Sequence, residues 1–97
     1  MIELSKPKKI KSGIMFNAII NDVYIMGFRI MNGFILPPSS MNKVSGKYYP
    51  VILFTKQLAE KLYDKIEEQD WEIELRDKEQ AVNDLLITAG YFGVYYA

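Results

Sequence analysis

Cations beside aromatic rings are the pattern with which proteins hold single-stranded nucleic acid, because charged heads meet phosphate while rings stack on bases. The sequence holds that pattern at Lys43, Lys47, Tyr48 and Tyr49. Arg29 adds a planar guanidinium able to give two parallel hydrogen bonds to one phosphate or carboxylate. It is the only arginine before residue 76, and a cross-strand ion pair would account for it equally well. The tyrosines, in turn, could simply pack. A second cluster, Lys6, Lys8, Lys9 and Lys11, could lie along a nucleic-acid backbone. The same lysines would also blunt an exposed strand edge against stray pairing.

Other chemistries lose their tools at once. With no His and no Cys, the chain has no imidazole base, thiol nucleophile, disulfide or Cys/His zinc site. The glycines at 13, 27, 33, 46, 90 and 93 form neither a GxGxxG nor a GxxxxGK phosphate loop. Glu67, Glu68, Asp70, Glu72 and Glu74 have no metal-ligand spacing. The expectation is a non-enzymatic protein without cofactor or metal. Lys plus Arg and Asp plus Glu both number 12, for a formal net charge of zero. That balance argues against binding nucleic acid by bulk electrostatics, yet leaves room for a local basic face. A length of 97 residues fits one domain with a modest core, for which self-association as a homodimer is the expectation. No apolar run approaches the roughly 18 residues of a membrane span and no signal peptide is evident, which points to a cytoplasmic protein without membrane contact.

The elements that position these residues follow from patterning. Val23 to Met31 and Phe34 to Leu36 are apolar, β-prone runs joined by Asn32-Gly33, the dipeptide suited to a type I′ hairpin turn. Pro37-Pro38 then stops the second strand. Met1 to Lys11 reads as an edge strand and Ile14 to Ile20 as its neighbour, with Asn21-Asp22 as turn residues. Period-2 alternation places Tyr24, Met26, Phe28 and Ile30 toward the core and Val23, Ile25, Gly27, Arg29 and Met31 on the other face. Residues 37–47 read as a loop without structure of its own, and Tyr48 to Phe54 as a fourth strand. Thr55 caps an amphipathic helix from Lys56 to Gln69, whose stripe is Leu58, Ala59, Leu62, Tyr63 and Ile66. Asp70 to Leu75 alternates as a short strand or a helix extension, the strand being preferred. Asp77 to Gln80 resembles a capping box, and Val82, Leu85, Leu86 and Ala89 form a second apolar stripe ended by Gly90. The tail holds Tyr91, Phe92, Val94, Tyr95 and Tyr96, too apolar to stay in water and therefore a candidate dimer interface. The expected fold is α+β. A small antiparallel sheet of about four strands is covered by one amphipathic helix, followed by a C-terminal helix and the aromatic tail. Residues 1–69 form the sheet-and-helix domain and residues 70–97 an extension packed on it or on a partner subunit.

This order of elements resembles the stage V sporulation protein G (SpoVG, septation) family. The matching residues are Ala18, Val23 to Ile25, Phe28-Arg29-Ile30, Gly33, Phe34-Ile35, Pro38-Ser39, the aromatic at Tyr48 or Tyr49, and Val51. The likeness covers about residues 1–68. It departs at Met41-Asn42, where the family is more basic and richer in Asp and Gly, and from Asp70 onward, which has no counterpart. The resemblance implies a small homodimeric regulator that binds DNA or RNA, for which the residues' own chemistry offers Arg29, Lys43, Lys47, Tyr48 and Tyr49. A module that binds another polypeptide through its tail or by strand addition is the other reading.

Overall fold

Asn32 and Gly33 both hold positive φ, 55° and 83°, as a type I′ turn requires. The turn joins β4 (Val23–Met31) to β5 (Phe34–Leu36) in an antiparallel sheet with β1 (Ile2–Leu4), β2 (Lys8–Ile10) and β3 (Gly13–Ile20). This computed structural model describes residues 1–41, 43–46, 48–50, 52 and 54–86, with the backbone alone at 41 and 48–50. The sheet runs β1-β3-β4-β5, and β2 also pairs with β3. The expected edge strand is therefore two short pieces on one edge of β3, parted around Pro7, which has no N–H to give the ladder. Asn21 and Asp22 turn the chain between β3 and β4 at φ 49° and 70°.

Pro37 and Pro38 end β5 as expected, and the chain then leaves the sheet. Residues 37–47 are not a featureless loop. β6 (Ser39–Met41) and β7 (Tyr48–Pro50) pair with each other, Ser39 facing Pro50, as a separate two-stranded sheet. The predicted fourth strand, Tyr48 to Phe54, is thus corrected: its described part pairs with β6, because two successive prolines cut the ladder that would have carried the main sheet onward.

Thr55 caps α1 (Lys56–Glu67), its hydroxyl accepting the Leu58 amide at 3.1 Å. A second helix, α2, covers residues 78–86, and the Asp77 carbonyl accepts the Ala81 amide at 2.9 Å. Ala59, Leu62, Tyr63 and Ile66 of α1 and Ala81, Val82 and Leu85 of α2 are buried with Ile14, Phe16, Ala18, Ile20, Phe28, Ile30 and Ile35 of the sheet. Stacked rings of Phe16 and Phe28, 5.3 Å apart, stand at its centre, with Trp71 5.2 Å from Phe16. Both helices therefore pack on one face of the sheet. Ala89, Gly90 and the tail residues Tyr91, Phe92, Val94, Tyr95 and Tyr96 lie outside the described residues.

Residues 70–75 form no strand, contrary to expectation. Asp70 and Glu72 take φ of 52° and 56°, values at which a strand ladder cannot run. The alternation survives as burial: Trp71, Ile73 and Leu75 pack against the core while Glu72 and Glu74 face water.

Candidate nucleic-acid interface

The face of the sheet turned away from the helices is shaped by one residue, Asn17. Opposite it the ladder slips, because Phe16 pairs with Phe28 but Ala18 pairs with Ile25. Two residues of β4, Met26 and Gly27, thus oppose one of β3, which defines a β-bulge. Gly27 holds φ 93°, a conformation open to glycine at little cost. Asn17 Oδ1 accepts the Gly27 amide at 3.0 Å and its Nδ2 donates to the Tyr24 hydroxyl at 3.1 Å. On its other side the Asn17 amide donates to Ser5 Oγ at 2.8 Å, and its carbonyl accepts the Ser5 amide at 2.8 Å. Asn17 therefore fastens β4 and the break between β1 and β2 from the middle strand.

The bulge corrects the face assignment of β4. Phe28 and Ile30 are buried as predicted, but Tyr24 is 58% and Met26 64% exposed. Ile25, placed outward by simple alternation, packs against the core instead. One extra residue exchanges the faces of Tyr24, Ile25 and Met26, while Val23, at the end of the strand, is exposed.

Arg29 follows the bulge on the outward face. It stands between Met15 of β3 and Leu36 of β5 in a cross-strand row that continues to Lys8 of β2. Arg29 is half-buried and makes no hydrogen bond or ion pair among the described residues, so the cross-strand ion pair that would have explained it is not formed there. Lys8 and Lys9 on β2 are exposed, as is Lys43 in the turn between β6 and β7. Lys47 lies outside the described residues; Tyr48 and Tyr49 are placed by backbone only, opposite Met41 and Ser40. Arg29 and Lys8 are thus brought onto one face, while Lys43 sits on the separate hairpin.

Charge is divided along the chain more sharply than its zero total suggests. Residues 1–50 hold seven cations, Lys6, Lys8, Lys9, Lys11, Arg29, Lys43 and Lys47, against two acids, Glu3 and Asp22. Residues 51–97 hold five cations against ten acids. The strands are basic, and the acid excess of the second half lies mainly in residues 68–77, with five acids to one cation, while α1 holds three of each.

A second feature lies at the other end of the hairpin. The backbone of Arg76 is held on both sides, its amide donating to the Gly33 carbonyl at 3.3 Å and its carbonyl accepting the Tyr63 hydroxyl at 2.7 Å. Its guanidinium carbon lies 4.1 Å from the Phe34 ring centroid, a cation–π contact. Beside it is an open groove of about 580 Å³, lined by Ile30, Asn32, Gly33, Ile73, Glu74, Leu75 and Arg76. Burial, reinforced by Glu67, Asp77 and Asp64, pushes the Tyr63 phenol above its usual 10.0. Lys78 bonds Asp64 with Nζ 2.8 Å from Oδ1, which raises the ammonium above its usual value and ties α2 to α1. Among the described residues no group of three or more acids could hold a metal, and no helix is long and apolar enough to cross a membrane.

Sequence reasoning missed Asn17, Tyr24 and Arg76. The signal for the first two was present: an amide inside an apolar strand opposite a mid-strand glycine marks a bulge. Arg76 had no such signal, since its neighbours come from the turn at Gly33 and from α1. Compared with known protein families, with curated proteins and with solved structures, the chain matches none.

Proposed function

We propose that this protein is a non-enzymatic nucleic-acid-binding regulator that binds through its basic strands, a reading suggested by the residue pattern likened above to the SpoVG family, although no family model matches the chain. The observation that carries the reading is the charge division: seven cations to two acids in residues 1–50 against five to ten in the remainder. A phosphate backbone is attracted to the first half and repelled by the second, so a net charge of zero is no obstacle to a directed interface. Arg29, Lys43 and Lys47 supply the cations, with Tyr48 and Tyr49 as neighbouring rings. The short chain and the apolar tail from Tyr91 to Tyr96 support a homodimer.

A gel shift with mixed DNA and RNA at about 50 mM salt, where electrostatic binding is strong, tests the proposal. Lys43→Ala and Lys47→Ala are each expected to weaken binding uniformly across sequences and to lower the log–log salt slope by about one. Arg29→Ala is expected to weaken it more than either, as loss of a two-bonded contact would. Absence of any shift at that salt would sink the reading. It would leave the interaction-module reading, which the exposed Val23, Tyr24 and Met26 favour and in which binding hardly responds to salt. Light scattering at micromolar concentration is expected to give twice the 11.2 kDa chain mass; the monomer mass would remove the dimer.

A further inference from the structure

We infer that the bulged end of the outward sheet face is a stacking platform for an unpaired base, so that the preferred ligand is single-stranded rather than duplex nucleic acid. The inference rests on the nucleic-acid reading above and narrows it to a ligand class.

Tyr24 is exposed over more than half its surface, yet its hydroxyl is held by the Asn17 amide, which also fixes the bulge at Gly27. An exposed ring ordinarily gives up rotamer freedom when a ligand settles on it. Here the hydrogen bond has already restricted that freedom, so the loss on binding is smaller. Met26, 64% exposed, extends the apolar surface beside the ring. Such a surface gains most from the flat face of a base and nothing from a charged phosphate. In a duplex those faces are covered by neighbouring bases, and only their edges reach the grooves.

The charges on the same face fit a strand lying across it. Tyr24 belongs to the cross-strand row of Ile19 and Glu3, whereas Arg29 belongs to that of Met15 and Lys8. The two rows are roughly 15 Å apart along β4. Phosphate is drawn to the row with two cations and turned from the one with Glu3 at its far edge. A chain with a base on Tyr24 therefore continues toward Arg29 and Lys8.

The test compares a fluorescein-labelled mixed-sequence 12-nucleotide strand with its duplex by anisotropy, at about 50 mM salt. Wild type is expected to bind the single strand more tightly. Tyr24→Ala should weaken that binding roughly 5- to 150-fold, the range for loss of one stacked base, and leave duplex binding unchanged. Tyr24→Phe, which keeps the ring but loses the hydrogen bond that restrains it, should fall between wild type and Tyr24→Ala. Tyr24→Leu, apolar but without an aromatic face, serves as the second variant should the alanine protein melt early. If wild type binds both ligands and neither Tyr24→Ala nor Tyr24→Leu changes the single-strand affinity, the platform is refuted while the nucleic-acid reading stands. If wild type binds neither ligand, both fall together.

Discussion

Tyr63 shows how one side chain can answer to three surroundings at once. Its ring belongs to the buried stripe of α1, its hydroxyl bonds the Arg76 carbonyl at 2.7 Å, and Glu67, Asp77 and Asp64 lie close enough to oppose a negative charge. Burial and those carboxylates disfavour the phenolate, so the folded state keeps its proton at a pH where the unfolded chain has lost it. With the folded pKa above the unfolded value, the contribution is fully present below about pH 10 and is lost as pH rises through the raised pKa. Tyr63→Phe should lower stability at pH 7 by about 1 kcal/mol, the usual net value of one hydrogen bond. Urea melts of both proteins at pH 7 and in steps above pH 10 should show the gap narrowing as the wild-type phenol ionises. A gap constant over that range would mean that the hydroxyl carries no such linkage.

At the level of elements, the same amide decides both the sheet's geometry and the outward face. Asn17→Ala removes the acceptor for the Gly27 amide and the donor to Tyr24. Leaving a part-buried N–H unpaired costs about 1–3 kcal/mol, and a denaturation midpoint equal to wild type would show the bulge to be held by backbone pairing alone. This is also where reading from sequence stopped. Asn32-Gly33 named its turn, Thr55 its cap, and the limits of β4 were legible residue by residue, because each follows from the local chemistry of a few neighbours. The facing of β4 was not, since strict alternation assumes an unbroken ladder and a bulge breaks it without any change in apolar content. Residues 70–75 failed for a related reason: the alternation of Trp71, Ile73 and Leu75 was real, but positive φ at Asp70 and Glu72 is invisible to a pattern of hydrophobicity. The proline pair was read as a stop, but not as the start of a separate hairpin. Of the candidate site, Arg29 was placed on the correct face, whereas Tyr24 was hidden by the reversal and Arg76 by contacts distant in sequence.

Across the molecule, both helices and the basic strands share one core, so they should unfold together. Leu62 of α1 and Leu85 of α2 are both almost completely inaccessible, and Trp71 between the helices stands against Phe16 of β3. The link from α1 to α2 through Lys78 and Asp64 is a surface ion pair with both side chains about half exposed, too well solvated to hold the helices together by itself. What joins residues 70–86 to the sheet is therefore apolar burial, which is shared among many neighbours and is lost as a unit. Leu62→Ala and Leu85→Ala should each cost about 2–5 kcal/mol, the range for truncating a buried leucine. Each should also shift the whole unfolding curve, because a single core of this size melts as one. The check is to follow urea unfolding by Trp71 fluorescence and by far-ultraviolet circular dichroism in both variants. Coincident curves displaced together are the expected outcome. If Leu85→Ala instead produced an early fluorescence change with the circular dichroism of the sheet intact, α2 would be a separately melting attachment.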